Sequence, residues 1–396
     1  MKTNYLKLSL LALTITFTAC KKDDNNNDNL EATKNEFIQN YANIVAANYE
    51  DTYKTAVTMQ TAIDAFIDAP SDDNLTAAKN AWLYARDFYG QTEAFRVAGG
   101  PIDNDPLNTE GLMNAWPLDE SYIDYVDKKG TPSQTGLIGD TSFTITKENL
   151  INKNEGGGEE TNISTGWHAI EFLLWGQDLN ANGVFTDGGN RPYTDYTTAD
   201  FAERRKTYLT TVTNLLVKNL KDLKDTWAQN GDYRVIFSSL DQNQQLKNIL
   251  NGIGFISNGE VAGERIIPAI QDGQENEHSC FSDNTNQDLW ANVHGLNNVI
   301  TGKYTRENKT IISGTSLIDL VETVDTDAAN TLKNAANTTL TKLDALLAIG
   351  KKFDEIISTE SLGSNGPAEQ LSDALSTQGI RIAEAAHSMS INISIE

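Results

Sequence analysis

Apolar residues recur at helical spacing along most of this chain, and no convincing run of strand-like alternation interrupts them. Phe201, Tyr208, Val212, Leu215, Leu216, Leu223 and Trp227 mark the inner face of a helix near residues 198–229. The same pattern predicts helices over 31–68, 74–98, 241–270, 284–302, 315–348 and 366–393. The first ends before Pro70. Ser71-Asp72-Asp73-Asn74 supplies caps for the second, which stops at Gly99-Gly100-Pro101. Pro268 is expected to kink or end the 241–270 helix. Residues 127–160, rich in Gly, Thr and Asn, and the Gly/Asn/Asp stretch 177–196 read as loops. Loops this long within a domain are usually functional or ordered by partners. The fold class implied is all-α, with two antiparallel helical bundles over 34–195 and 196–396.

One short helix stands apart. Between Gly166 and Gly176, the run Trp167-His168-Ala169-Ile170-Glu171-Phe172-Leu173-Leu174-Trp175 holds two ionisable side chains, His168 and Glu171. The rest is apolar, so the segment should be buried. Groups three residues apart share one helix face. An unpaired carboxylate in apolar surroundings is strongly disfavoured. A metal, an arginine or a His–Glu hydrogen bond must therefore meet that face. In the 74–98 helix, Trp82, Arg86, Tyr89, Glu93 and Arg96 fall at spacings of four, three, four and three. Aromatic rings interleaved with charges point to a buried polar stripe rather than a solvated face.

The N-terminal residues read as an export signal. Lys2 and Lys7 form a basic start, and Leu8 to Phe17 an apolar stretch too short for a permanent span. Residues 1–19 are read as the signal. Phe17-Thr18-Ala19-Cys20 resembles a bacterial lipobox, with Cys20 as the lipidated residue. Residues 20–33, which include an Asp/Asn-only run from Asp23 to Asn29, read as a flexible tether. Removing residues 1–19 takes away two lysines and no acid, so the formal charge moves from −24 to −26. That argues against a nucleic-acid partner, whose phosphates need a basic face. If Cys20 carries lipid, Cys280 has no intrachain partner. It reads as a buried, inert thiol.

Several motifs bear on chemistry. A helical zinc peptidase needs His-Glu-x-x-His or its inverse on one helix. Here His168 and Glu171 lack the second His, since the remaining histidines are His278, His294 and His387. One nitrogen and one oxygen ligand, with added acids, suit iron, manganese or zinc. Glu277-His278-Ser279-Cys280-Phe281-Ser282-Asp283-Asn284-Thr285 is dense in potential ligands, and Ser282 or Asp283 is alternatively a cap for the helix that follows. Asp178-x-Asn180-x-Asn182-Gly183 mimics the start of a calcium loop but has Gly189 where the loop needs Glu. Gly252-x-Gly254 has no preceding strand and no phosphate-binding Lys, which argues against a nucleotide.

Gly166-x-His168-x-x-Glu171 resembles the Gly-x-His-x-x-Glu signature of the imelysin-like family, in particular its iron-regulated branch. Residues 81–86 with 91–96, 114–120, 189–192, 258–265 and 277–285 match further family blocks in order. The resemblance implies two similar helical bundles with a site at their junction and a role in iron acquisition. In that reading the protein is a lipid-anchored component of the bacterial envelope, at the outer membrane and facing an uptake partner. Its site binds iron, with zinc or another divalent metal as the alternative, or a metal-carrying ligand. The metal residues implied are His168, Glu171, Glu93, His278 and Asp283. Arg86, Arg96, Trp116, Asp119, Glu264 and Arg265 would support them. The rival reading is an envelope metallopeptidase, the activity that names the family, and a third is a cleft for a peptide or other organic ligand. The resemblance places a His at position 286, where this chain has Asn286.

Overall fold

A computed structural model describes residues 23–127, 132–133, 136–179, 185 and 188–396. The lipobox residue Cys20 and the signal stretch 1–19 lie outside the described residues. The long helices are α1 (Asp23–Asp68), α2 (Asp72–Thr92), α3 (Gly166–Trp175), α4 (Ala202–Trp227), α5 (Gln242–Phe255), α6 (Thr285–Thr301), α7 (Thr326–Leu347) and α8 (Pro367–Ser388). Strands among the described residues are confined to two antiparallel ribbons, Val126–Asp127 with Pro132–Ser133 and Lys303–Thr305 with Ile311–Ser313. The fold is all-α, as the periodicity requires.

Local chemistry sets the helix ends. Ser71 caps α2 by accepting the Asn74 N–H at 3.2 Å. Asp325 caps α7 by accepting from Asp327 and Ala328, which splits the expected 315–348 helix into Leu317–Glu322 and α7. The 127–160 stretch is not all loop. Thr146 caps a helix over Lys147–Lys153. Pro268 does not end its helix. The backbone widens into a π-helix over Ile256–Ile266, and Pro268 sits in the first turn of Ile267–Asp272, where its missing N–H does least harm. The tether is also shorter than expected, since α1 already begins at Asp23.

Helices α1, α2, α3 and α4 pack together, and the π-helix, α6, α7 and α8 form a second group. The expected division at residue 196 therefore falls before α4, which belongs with the first group. The two groups share one continuous core, running from Phe37 and Trp82 through Trp167 and Leu216 to Ile253, Leu296 and Leu375. Each large apolar side chain so buried contributes about 1.5–3 kcal/mol. The groups meet where α2 crosses α6. A Cβ at Gly295 would lie 2.4 Å from the Gln91 carbonyl oxygen, so only glycine permits this crossing. The crossing brings Arg86 and Glu93 of α2 up to α6, with α3 packed against α2.

Candidate metal centre

Helix α3 starts where only glycine fits. Gly166 has φ +91°, and a Cβ there would lie 2.4 Å from the Met113 carbonyl oxygen. All ten residues of α3 are buried. Trp82 Nε1 donates to the Trp167 carbonyl at 3.1 Å, fixing α3 against α2. His168 and Glu171 consequently face the inside of the molecule, one turn apart.

They meet each other first. His168 Nδ1 lies 2.9 Å from Glu171 Oε2. The other carboxylate oxygen, Oε1, accepts the Ser282 N–H at 3.0 Å and the Ser282 hydroxyl at 2.7 Å. Burial pushes the Glu171 carboxyl up to about 8, opposed in part by the Ser282 hydrogen bonds. Burial, and after it the nearby His278 and Arg86, hold His168 well below the usual imidazole range. The ring is therefore neutral. Its Nε2 is buried and has no hydrogen-bond partner among the described residues. The Trp116 ring packs on it at 4.8 Å between centroids. Trp116 Nε1 is likewise buried without a partner, and its ring meets Phe281 at 5.6 Å.

A second histidine repeats the arrangement. The His278 ring lies 4.8 Å from that of His168, edge to face. Its Nδ1 is 2.9 Å from Asp288 Oδ2. Burial and then Arg265 lower its basicity, although Asp288 opposes them. Asp288 also accepts from Ser279 Oγ at 2.5 Å, Asn284 Nδ2 at 3.3 Å and Arg86 Nη2 at 2.9 Å. Arg86 is wholly buried, with its guanidinium over the rings of Trp82, Tyr89 and Trp167 at 5.4–5.7 Å. The stripe on α2 is thus a lining of this centre, and its aromatic members wall in a cation.

Beyond Arg86 the polar network runs outward. Arg86 Nη1 donates to Asn114 Oδ1 at 2.6 Å, and Asn114 Nδ2 lies 3.5 Å from Glu93 Oε1. Glu93 Oε2 pairs with Arg265, which also donates to Glu260 at 2.8 Å and to Asn292 at 2.9 Å. Arg96 reaches Glu260 at 3.3 Å and Glu110 at 3.4 Å. Arg265 and the charge of Arg96 keep Glu93 below the usual carboxylate range despite its burial.

The structure brings His168, Glu171, His278, Trp116 and Arg86 together. It does not gather the five expected metal residues around one point. Glu93 is committed to Arg265 and Asn114, one step away along the network. Asp283, the residue after Ser282, joins Asp178 and Asp354 instead, with one oxygen of each within 4.8 Å of the others. Asp119 caps the turn Glu120–Ile123 by accepting from the Ser121 N–H and hydroxyl. Glu264 is exposed, and Glu260 takes the place expected for it. Neither Ser282 nor Asp283 caps α6, whose first flanking residue is Asn284 without a side-chain cap. Asn286 Nδ2 donates to the Lys351 carbonyl at 2.8 Å, on a different side of α6 from Asp288. Arg191 ties the loop after α3 to Asp124 and Asp195 at 2.7 and 3.0 Å.

Asp288 was not singled out from sequence, and Ser282 was read as a cap or ligand rather than as the partner of Glu171. Asp288 had one legible signal, an acid among the apolar inner positions Leu289, Val293 and Leu296 of its helix. Chemically, a neutral imidazole whose Nδ1 is tied to a carboxylate and whose Nε2 is left over is the arrangement that metal-ligating histidines adopt. His168 shows this arrangement, and His278 beside it shares the carboxylate-bound Nδ1.

Residues 45–380 match the model of the family described as Imelysin (Peptidase_M75). Iron-regulated protein A of Synechococcus elongatus is 26% identical over 281 residues, which cover 68% of this chain and 65% of that protein. The chain thus aligns with about two thirds of that relative's length. The crystal structure of a putative iron-regulated protein A precursor from Parabacteroides distasonis has a TM-score of 0.68 at 20% identity, covering 90% of this chain and 95% of that one. An imelysin-like protein from Psychrobacter arcticum has a TM-score of 0.58 at 16% identity, over 97% and 100%. The two structures share the helical fold. By the extent of the family match, this chain belongs to the imelysin family.

Proposed function

We propose that the protein binds a metal ion, iron foremost, through His168 Nε2 with His278 as the second imidazole, and serves iron acquisition as an exported, lipid-anchored envelope protein. The observation that carries this is the buried, unpartnered His168 Nε2 behind an Nδ1 held by Glu171. A buried polar atom without a partner in a native interior calls for an explanation such as an absent ion. Nitrogen donors of neutral charge suit iron(II) and zinc. Glu171 acts here as a positioning residue, because both its oxygens are engaged. The similarity to proteins named iron-regulated protein A favours iron. Cys20 is the residue that would carry the anchor.

The peptidase reading needs three fixed ligands, an open position and a free general base. Glu171 has no free oxygen to serve as that base, so the geometry favours binding over hydrolysis.

The test is calorimetric titration of chelator-stripped protein with iron(II) under anaerobic conditions. One equivalent should bind, and His168→Ala and His278→Ala should each weaken binding tenfold or more with circular dichroism unchanged. Wild-type affinity in folded His168→Ala would overturn the proposal. Metal-dependent peptide cleavage abolished by both substitutions would establish the peptidase instead.

A further inference from the structure

We propose that Asp178, Asp283 and Asp354, backed by Glu277, form a second and separate metal site, specific for calcium. The three aspartates come from different segments. Asp178 lies just beyond α3, Asp283 just before α6, and Asp354 in the short helix Phe353–Ile357. All three are buried, at 6%, 6% and 2% exposure, and one oxygen of each lies within 4.8 Å of the other two.

Three carboxylates do not gather in a protein interior without a compensating charge. Lys352 is a cation that acts on Asp283. Gln274 Nε2 approaches Asp178 Oδ2 at 3.4 Å. The independent observation is Glu277. It is 1% exposed, and neither of its oxygens has a hydrogen-bond partner of good geometry, nor has either oxygen of Asp283. After burial itself, the groups that raise the Glu277 carboxyl include Asp354, Asp283 and Asp178. The Asp283 carboxyl, buried within the cluster with neither oxygen partnered, is thus the group left for an ion, and Glu277 lies close enough to feel the cluster's charge.

The donor set selects the ion. It is all oxygen and carries formal negative charge, which suits hard cations and not those that seek nitrogen or sulfur. Oxygens on opposite sides of calcium are separated by up to roughly 4.6–5.2 Å, twice the metal–oxygen length, whereas magnesium draws them to about 4.0–4.2 Å and keeps several waters. Separations within 4.8 Å admit either ion, so the ligand set decides: three buried carboxylates suit calcium, whereas magnesium binds through one or two and keeps its waters. The sequence pattern beginning at Asp178 lacks the acid that ends a calcium loop. The fold instead brings acids to Asp178 from segments about one hundred residues and more away.

The ion would have a structural consequence. Ser282, which holds Glu171, is the neighbour of Asp283. Asn286 of α6 already ties the 351–354 segment through the Lys351 carbonyl. A calcium ion would pin the loop after α3, the start of α6 and the Asp354 helix together, behind the histidine centre.

The test uses chelator-stripped protein titrated with calcium chloride or magnesium chloride, read by calorimetry and by thermal unfolding. One calcium should bind per chain and raise the melting temperature, with magnesium at least tenfold weaker. Asp283→Asn and Asp354→Asn should each weaken calcium binding tenfold or more. Each should also raise the melting temperature of the calcium-free protein, because a repelling charge is gone. A misfolded variant cannot give that second result. His168→Ala should bind calcium as wild type does, which separates this site from the histidine centre. No binding by wild-type protein up to about 10 mM calcium, above the weakest extracellular calcium modules, would overturn the proposal. So would an undiminished calcium response in Asp283→Asn.

Discussion

Replacing Glu171 with glutamine preserves the side chain's shape and removes its charge, and the consequence should be a change in how metal affinity depends on pH. Burial raises the Glu171 carboxyl to about 8, while His168 at 2.9 Å stays neutral. Below that pH, the metal-free pair keeps a proton on Glu171 facing His168 Nδ1, and the ring's own proton then sits on Nε2. A metal at Nε2 must displace it. Glu171 then ionises and accepts the Nδ1–H. Binding therefore releases one proton below about pH 8 and none above. Affinity should fall about tenfold, or ~1.4 kcal/mol, for each pH unit below that point. Between pH 8 and pH 6 the loss is about 100-fold. The amide of Glu171→Gln has no such proton, so the slope should vanish, and affinity at pH 8 should drop by about 10–100-fold. Zinc is a suitable redox-silent probe, titrated calorimetrically between pH 6 and pH 8.5. Equal slopes in the two proteins, or no slope in the wild type, would refute the reasoning. The same shift also affects stability. The folded state holds a proton on Glu171 that the unfolded chain has lost above 4.5, so this group's contribution to stability falls as pH rises from there to about 8. Metal-free Glu171→Gln should lack that decline.

Other outcomes follow from packing. Gly166→Ala forces a Cβ against the Met113 carbonyl at φ +91°, and should cost at least about 2 kcal/mol in denaturant unfolding, from backbone strain and the clash together. Arg265→Ala leaves Glu93 and Glu260 with only the more distant Arg96 as cation, and should destabilise by up to about 3–5 kcal/mol. Arg265→Lys should restore only part, since one ammonium cannot reproduce the guanidinium fork. Cys280 is a buried free thiol whose ionisation burial pushes well up, so a thiol reagent should label it only on unfolding. Fast labelling of the native protein would contradict that placement.

What the sequence disclosed, it disclosed through local rules. The spacing of apolar residues gave the helices, because one turn of helix repeats regardless of tertiary context. The isolated His168–Glu171 pair announced a buried polar contact for the same reason. The partners were harder to see because tertiary structure supplies them. Arg86 meets Asp288 from 202 residues away, and Asp354 reaches Asp283 from a short helix with no motif of its own. Glu264 and Glu260 sit in one sequence block, and nothing in that block says which turns inward. The π-helix decides it. Its i to i+5 repeat puts Glu260 beside Arg265 and leaves Glu264 outside. Asp283 was expected beside His278 at the metal, yet with φ +55° at that residue its carboxyl joins Asp178 and Asp354, while Ser282 before it meets Glu171. The helical reading also placed a domain boundary ahead of α4, because an interruption in periodicity records where a helix ends and not which neighbours it packs on.

The central claim is that a metal ion bonds to His168 Nε2. Anomalous scattering at the iron edge, from crystals of chelator-stripped protein exposed to iron(II), tests it most directly. The account predicts a peak about 2 Å from His168 Nε2, on the His278 side of the ring, with Glu171 still bonded to Nδ1 and Ser282. A peak on the Glu171 carboxylate, on the Asp178–Asp283–Asp354 group alone, or no peak at all would contradict it.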